Sequence, residues 1–335
     1  MSSIGHFDSR PPGPTHGRQA SQKVLSSHPC VVPIVRPAIS RTDRCNSLSC
    51  WRPPFSPRVS RYRYPPSGVV LLKKSHPSLS SRWIGRRPPQ ISTARVIPPE
   101  KIYAACNHAV VLTEYGRSDP EASGIENISV IPNAREDEFR PEWKKELSND
   151  DPIKILNVGL LCPDKATPQL LEAFAKVHAR YPKTILKLVG APMAGLSNEA
   201  ISKTAQQLDI ADAIQVTGIL SGEGLQHAYA EANVFVFATI APSESFGNVL
   251  SEAMMWALPI VSTDWRGNSQ VLGENHGGEL AETGTELSSN LAAAIEKVIE
   301  QRSRWTEFGE INRRRFLDHY QIEKLEPELE KLFKS

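Results

Sequence analysis

The chain has 335 residues and a formal net charge of +2, a length that ordinarily holds two domains. The mean charge hides two halves: residues 1–100 carry 16 Lys or Arg against 3 Asp or Glu, and residues 101–335 carry 23 against 34. Since 16 of the 27 prolines also fall in the first hundred residues, one uniform globular body is excluded; with no run of eighteen apolar residues, so is a membrane-spanning helix.

The first segment, 1–98, lacks the pattern that builds a core. Stretches such as Arg10-Pro11-Pro12-Gly13-Pro14 and Arg86-Arg87-Pro88-Pro89 sustain neither helix nor central strand, because each proline removes a donor and restricts its predecessor. The apolar runs at 31–35 and 69–72 are short and isolated. High charge with little to bury does not offset the entropy of ordering a chain, so 1–98 is expected to be disordered or non-native. A basic tail of this kind also suits nucleic acid or anionic lipid, although nucleic acid is not the expected partner. Its Arg- and Ser-rich, acid-poor composition is shared by organelle transit peptides, against which the proline density counts. A mistaken start or a broken reading frame accounts for the composition at least as well.

Five cysteines, at 30, 45, 50, 106 and 162, show neither a CxxC pair nor zinc-ligand spacing. The odd count, without an apolar secretory signal, makes a reduced cytoplasmic setting the expectation, free or peripheral at a membrane.

From residue 100 the pattern becomes periodic. Ala109 to Thr113 and Ile128 to Asn133 read as strands, followed by a polar, charged stretch from Arg135 to Asp151. Ile153 to Gly159 is a strand ending in glycine. Thr167 to Tyr181 carries Leu170, Leu171, Phe174, Val177 and His178 at the spacing of an amphipathic helix. Then come a strand at Ile185 to Gly190, a helix at Asn198 to Leu208, a strand at Ala213 to Thr217 and a helix at Glu223 to Ala232. Val234 to Phe237 is a strand, Gly247 to Ala257 a helix and Pro259 to Ser262 a strand, with helices at Glu286 to Arg302 and Trp305 to Tyr320. This alternation predicts an α/β fold, a Rossmann-like parallel sheet with helices on both faces. In such sheets ligands sit beyond the carboxyl ends of the strands.

The stretch richest in chemistry is Glu244-Ser245-Phe246-Gly247-Asn248-Val249-Leu250-Ser251-Glu252-Ala253-Met254. Its first carboxylate lies in a loop after a strand and its second inside the following helix, more than one turn from the start, so both can face one cleft. The amides near Phe246, Gly247 and Asn248 are the free donors of that helix terminus and suit a diphosphate. Carboxylates accept from hydroxyls, so the pair suits a sugar and a ribose. Taken alone, two glutamates eight apart arise often by chance, and Glu252 is an ordinary solvated helix residue.

The whole string, followed by Trp256-Ala257-Leu258-Pro259-Ile260-Val261-Ser262, resembles the family 4 glycosyltransferases. Their pattern is E-x-F-G, a second Glu after seven residues, E-A-M, then a small residue and P-V-V. Ile131-Pro132-Asn133-Ala134 with Phe139-Arg140-Pro141 resembles the family's interdomain segment, and Ala228 to Val236 its run before the donor loop. The resemblance implies the C-terminal half of the two-domain GT-B fold, as a nucleotide-sugar-binding domain over 151–320. Residues 99–150 would then be the last part of the acceptor domain and the linker, and 321–335 a C-terminal helix or tail.

By the same resemblance Glu244, Phe246 and Gly247 would meet the donor sugar, and Glu252 the ribose. Gly159, Lys165, Gly247 and Asn248 would meet the diphosphate. No metal and no cofactor are expected, because cations neutralise the leaving group in this family. Of its usual two, Lys165 is present, whereas Leu160 stands at the arginine position. Ala166 and Ala257 stand where glycine is usual, and Ser269-Gln270 where Pro-Glu is usual. The family's acceptor half, with its Gly-rich loop and catalytic His, is not legible in 1–98, where His6, His16, His28 and His76 lie in Pro-, Arg- or Ser-rich surroundings. No catalytic residue is therefore assigned. The expected function is transfer of a hexose from a nucleotide diphosphate sugar, with retention, to an unidentified saccharide or lipid-linked acceptor. The alternative is a truncated, inactive donor-binding domain. A dinucleotide-binding protein is disfavoured by the absence of GxGxxG after the first strand of the periodic part.

Overall fold

The computed structural model describes residues 70–72, 108–144, 148 and 150–334. The remaining expectations for 1–98, and four of the five cysteines, lie outside the described residues. Within that segment the run at 70–72 is a strand, β1 (Val70–Leu72), which pairs antiparallel with β2 (His108–Val111). The sequence alone reads this run as isolated, because three residues show no period and the partner lies far along the chain. β3 (Ile128–Val130) joins β2 in parallel, with the short helix α1 (Ser118–Ala122) between them.

The second sheet has six parallel strands: β4 (Ile153–Val158), β5 (Thr184–Val189), β6 (Ile214–Gly218), β7 (Val234–Phe237), β8 (Ile260–Thr263) and β9 (Gly278–Ala281). Their order is β6-β5-β4-β7-β8-β9. Chain order reverses between β4 and β7, and at such a switch point the crossover helices diverge to opposite faces and leave a crevice beyond the strand ends. β9 and the short helix α6 (Asn268–Leu272), absent from the sequence reading, are too short and too Gly- and Asn-rich to show a period.

The connecting helices are α2 (Thr167–Arg180), α3 (Asn198–Gln207), α4 (Glu223–Glu231), α5 (Asn248–Met255) and α7 (Leu287–Glu300). The chain ends with α8 (Trp305–His319) and α9 (Ile322–Lys334). Side chains alternate across a strand, so β4 sends Ile155 to one face, against Leu170, Phe174 and Leu291, and Leu156 to the other, against Leu250, Met254 and Phe316. All four residues of β7 and of β8 are buried, whereas β6 at the edge keeps Gln215, Val216 and Thr217 exposed. Continuous apolar runs mark central parallel strands covered on both faces.

Candidate functional site at the carboxyl ends of β4 and β7

Two loops leave the sheet at its switch point. The loop after β4 carries Lys165 and the loop after β7 carries Glu244. Ile240 N donates to Asp164 O at 2.9 Å, which joins the loops. Gly190 follows β5 with φ +151°, and any side chain on it would collide with the Gly159 carbonyl, so close approach of the β4 and β5 ends requires a glycine there. Gly159 N donates to Val189 O at 2.9 Å. What Gly159 offers a ligand is therefore open space rather than an N–H.

The second loop enters α5 through Gly247, whose φ is +67° and whose added side chain would meet the Phe237 ring at 2.8 Å. Both facts demand glycine. Gly247 N donates to Glu244 Oε1 at 3.1 Å, and Lys165 Nζ donates to Glu244 Oε2. Phe246 is buried, with its ring edge-on to Tyr320 at 5.4 Å between centroids, so only its backbone can serve a ligand. Asn248 occupies the first turn of α5, where helix geometry supplies no intrahelical acceptor for N–H groups.

Glu252 lies one turn further on and, like Glu244, is not a solvated surface residue: their side chains are 13% and 11% exposed. Tyr229 OH donates to Glu252 Oε2 at 2.7 Å, and the Arg135 guanidinium sits 2.6 Å from Oε1. Burial, and then the adjacent carboxylate, raise the Tyr229 pKa well above the ordinary phenol value, so this hydroxyl remains a donor. Tyr229 and Arg135 were missed in the sequence. The first is hidden in an apolar helix face, and the second opens a charged stretch whose only clue is its extended spacing from Asn133.

Of the sequence-predicted residues, Glu244, Lys165, Gly247 and Asn248 meet around the start of α5, with Glu252 one turn along and Gly159 at the end of β4. Leu160 is 42% exposed beside Leu161, which is fully buried. Ala166 and Ala257, at positions where the resemblance expects glycine, have φ of 46° and 50°, the left-handed region in which glycine costs least. Gln270, in place of the usual Glu, accepts from Tyr115 N at 2.9 Å and so ties the first sheet to α6. Among the described residues no group of His, Cys, Asp and Glu is arranged to hold a metal ion, and no helix is long and apolar enough to cross a membrane.

A family model described as glycosyl transferases group 1 matches residues 139–315. D-inositol 3-phosphate glycosyltransferase 2 of Catenulispora acidiphila is 27% identical over 238 residues, 65% of this chain and 54% of that protein. The GDP-mannose-dependent alpha-mannosyltransferase of Mycobacterium tuberculosis is 27% identical over 184 residues, 55% of this chain and 43% of that protein. The chain thus spans about half the length of these relatives. Among solved structures, Anabaena HepE in complex with UDP shares the fold with a TM-score of 0.59 at 17% identity, over 69% of this chain and 65% of that one.

Proposed function

The chain belongs to the glycosyl transferases group 1 family, and from that premise we propose that it binds a nucleotide diphosphate sugar and transfers the hexose with retention of configuration. The observation that carries this reading is the pairing of two shielded carboxylates, Glu244 and Glu252, with two cations, Lys165 and Arg135, around the amino end of α5.

Glu244 and the backbone of Phe246 hold the sugar; the Gly247 N–H, expected to be a free donor, is taken by Glu244 Oε1, so Gly247 serves the sugar by shaping the turn that presents that carboxylate. Glu252 accepts from the ribose hydroxyls. Lys165 and the first-turn amides of α5, Asn248 among them, receive the diphosphate, with Gly159 leaving room for it. Lys165 stabilises the charge that develops on the leaving diphosphate, so the reaction proceeds without a metal or a cofactor. The acceptor is a saccharide or a lipid-linked saccharide, met in the cytoplasm or at a membrane surface. Catalytic groups on the acceptor side are not assigned. Donor binding without transfer is the second reading, favoured by the exposed, uncharged Leu160 in the loop that carries Lys165.

Calorimetric titration of the chain with UDP, GDP and the corresponding hexose nucleotides tests the site. Glu252→Ala should weaken bare diphosphate and nucleotide sugar alike, by about 1–3 kcal/mol, because ribose contacts are lost in both. Glu244→Ala should weaken the nucleotide sugar more than the diphosphate. If the two variants behave identically, the roles given to the glutamates are wrong. Sugar release or transfer measured on the same samples separates the first reading from the second.

A further inference from the structure

We propose that Arg135 is a diphosphate-binding residue of the donor site, exchanging Glu252 for the phosphates when the nucleotide binds. This rests on the donor reading above and adds a residue to it.

The segment before Arg135 lies extended along α5. Asn133 Nδ2 donates to Asn248 Oδ1 at 2.6 Å, and Arg135 meets Glu252 at 2.6 Å. Residues two apart in an extended chain share one side, and residues four apart on a helix share one face. The two ladders therefore run in register, and this segment walls the cleft at the helix start. The Arg135 backbone is fixed: its N–H donates to Tyr320 O at 2.9 Å and its carbonyl accepts from Ile322 N at 3.0 Å. Only the side chain is left to move. A helical turn rises about 5.4 Å, so the first-turn amides lie within the sweep of an arginine anchored one turn away.

Charge decides where that arginine goes. Lys165 with Glu244 and Arg135 with Glu252 make two neutral pairs. A diphosphate brings at least two negative charges beside these two carboxylates, and the guanidinium binds phosphate oxygens in bidentate fashion. Glu252 is not stranded by the exchange. Tyr229 keeps donating to one oxygen, and the ribose hydroxyls replace Arg135 on the other. No partner is lost on either side, and the diphosphate gains a cation that the exposed Leu160 does not supply.

The test is titration of the chain with UDP, GDP, UMP and GMP. Arg135→Gln should weaken the bound diphosphate at least tenfold and its monophosphate no more than about threefold, while Arg135→Lys should recover most of the loss. On the native chain, diphosphate should slow phenylglyoxal modification at Arg135, read by peptide mass, at least fivefold more than monophosphate at equal saturation; this measurement stands even if Arg135→Gln does not fold. Diphosphate binding that is unchanged or tighter in Arg135→Gln would overturn the proposal, since Arg135 would then merely cover Glu252. Equal protection by the two nucleotides would overturn it as well. Failure of the native chain to bind any of the four would instead sink the donor reading on which the proposal stands.

Discussion

At its amino end α5 meets a left-handed glycine, two carboxylates, a lysine and an arginine. At its carboxyl end the same helix is closed by Lys144, whose Nζ donates to Trp256 O and Ala257 O at 2.9 and 3.0 Å. There Trp143 stacks on His227 at 4.0 Å and Phe139 packs edge-on to Trp256 at 5.7 Å. Hydrogen bonds to the last carbonyls of a helix and aromatic cover are stabilising arrangements. By contrast, the amino end gathers two carboxylates that repel an anionic ligand, each paired with a cation; Glu244, Lys165 and Arg135 come from outside the helix, and Glu252 lies one turn inside it. On the proposed function the helix has a supporting end and a binding end, so changes at the first should alter stability while changes at the second alter affinity.

The largest effect should come from the supporting side. Asn312 is fully buried; its Nδ2 donates to Leu258 O and Gly277 O at 2.7 and 2.8 Å, and its Oδ1 accepts from Gly277 N at 2.9 Å. Asn312→Leu leaves two buried backbone groups, Gly277 N and Leu258 O, unpaired, while Gly277 O still accepts from Ile260 N at 3.0 Å; it should cost about 2–5 kcal/mol in denaturant unfolding, with nucleotide affinity of the folded fraction unchanged. A loss of affinity comparable to the loss of stability would break the division.

Next is a pH effect. Burial lowers the Lys144 pKa to about 8 from its ordinary 10.5. Between those values the unfolded chain binds the proton and the folded chain does not, so stability rises with pH across that window, by at most about 3 kcal/mol. Below pH 8 both states are protonated, and the folded chain bears the full cost of the buried charge. Relative to Lys144→Met, the native chain should therefore gain stability between pH 8 and 10.5. Parallel profiles for the two chains would show that Lys144 titrates normally.

At the binding end, Leu160→Arg should tighten nucleoside diphosphate binding by about 1 kcal/mol, as a charge-assisted hydrogen bond does, with little change in unfolding. Unchanged or weaker binding in titration would mean that this loop does not face the diphosphate. The smallest effect is expected at Ala257, held at φ 50° beside the Lys144 contact. Ala257→Gly removes left-handed strain of about 1–2 kcal/mol but loosens the unfolded chain, for a net gain of about 0.5–1 kcal/mol. Destabilisation in thermal unfolding would show that the methyl group packs better than its backbone angle suggests.

Much of this was legible in the sequence because it depends on local pattern. The strands β4, β5, β7 and β8 are apolar runs bounded by turn residues, and α2 and α7 carry their buried positions at helical spacing, so element type and order follow from period alone. The glutamates, Lys165 and Gly247 belong to strings whose spacing survives reading as text, and Ala166 and Ala257 stood out as alanines where the resemblance expects glycine. Only the tertiary structure could decide what lies between distant segments. Strand order, and with it the crevice between β4 and β7, follows from crossovers that no window contains. The pairing of Val70–Leu72 with β2 joins runs with no shared local signal. Arg135 and Tyr229 reach Glu252 from far along the chain. A charged side chain in a polar stretch gives no local sign of its partner, since ion pairing depends on distance in space, and the fold alone sets that distance.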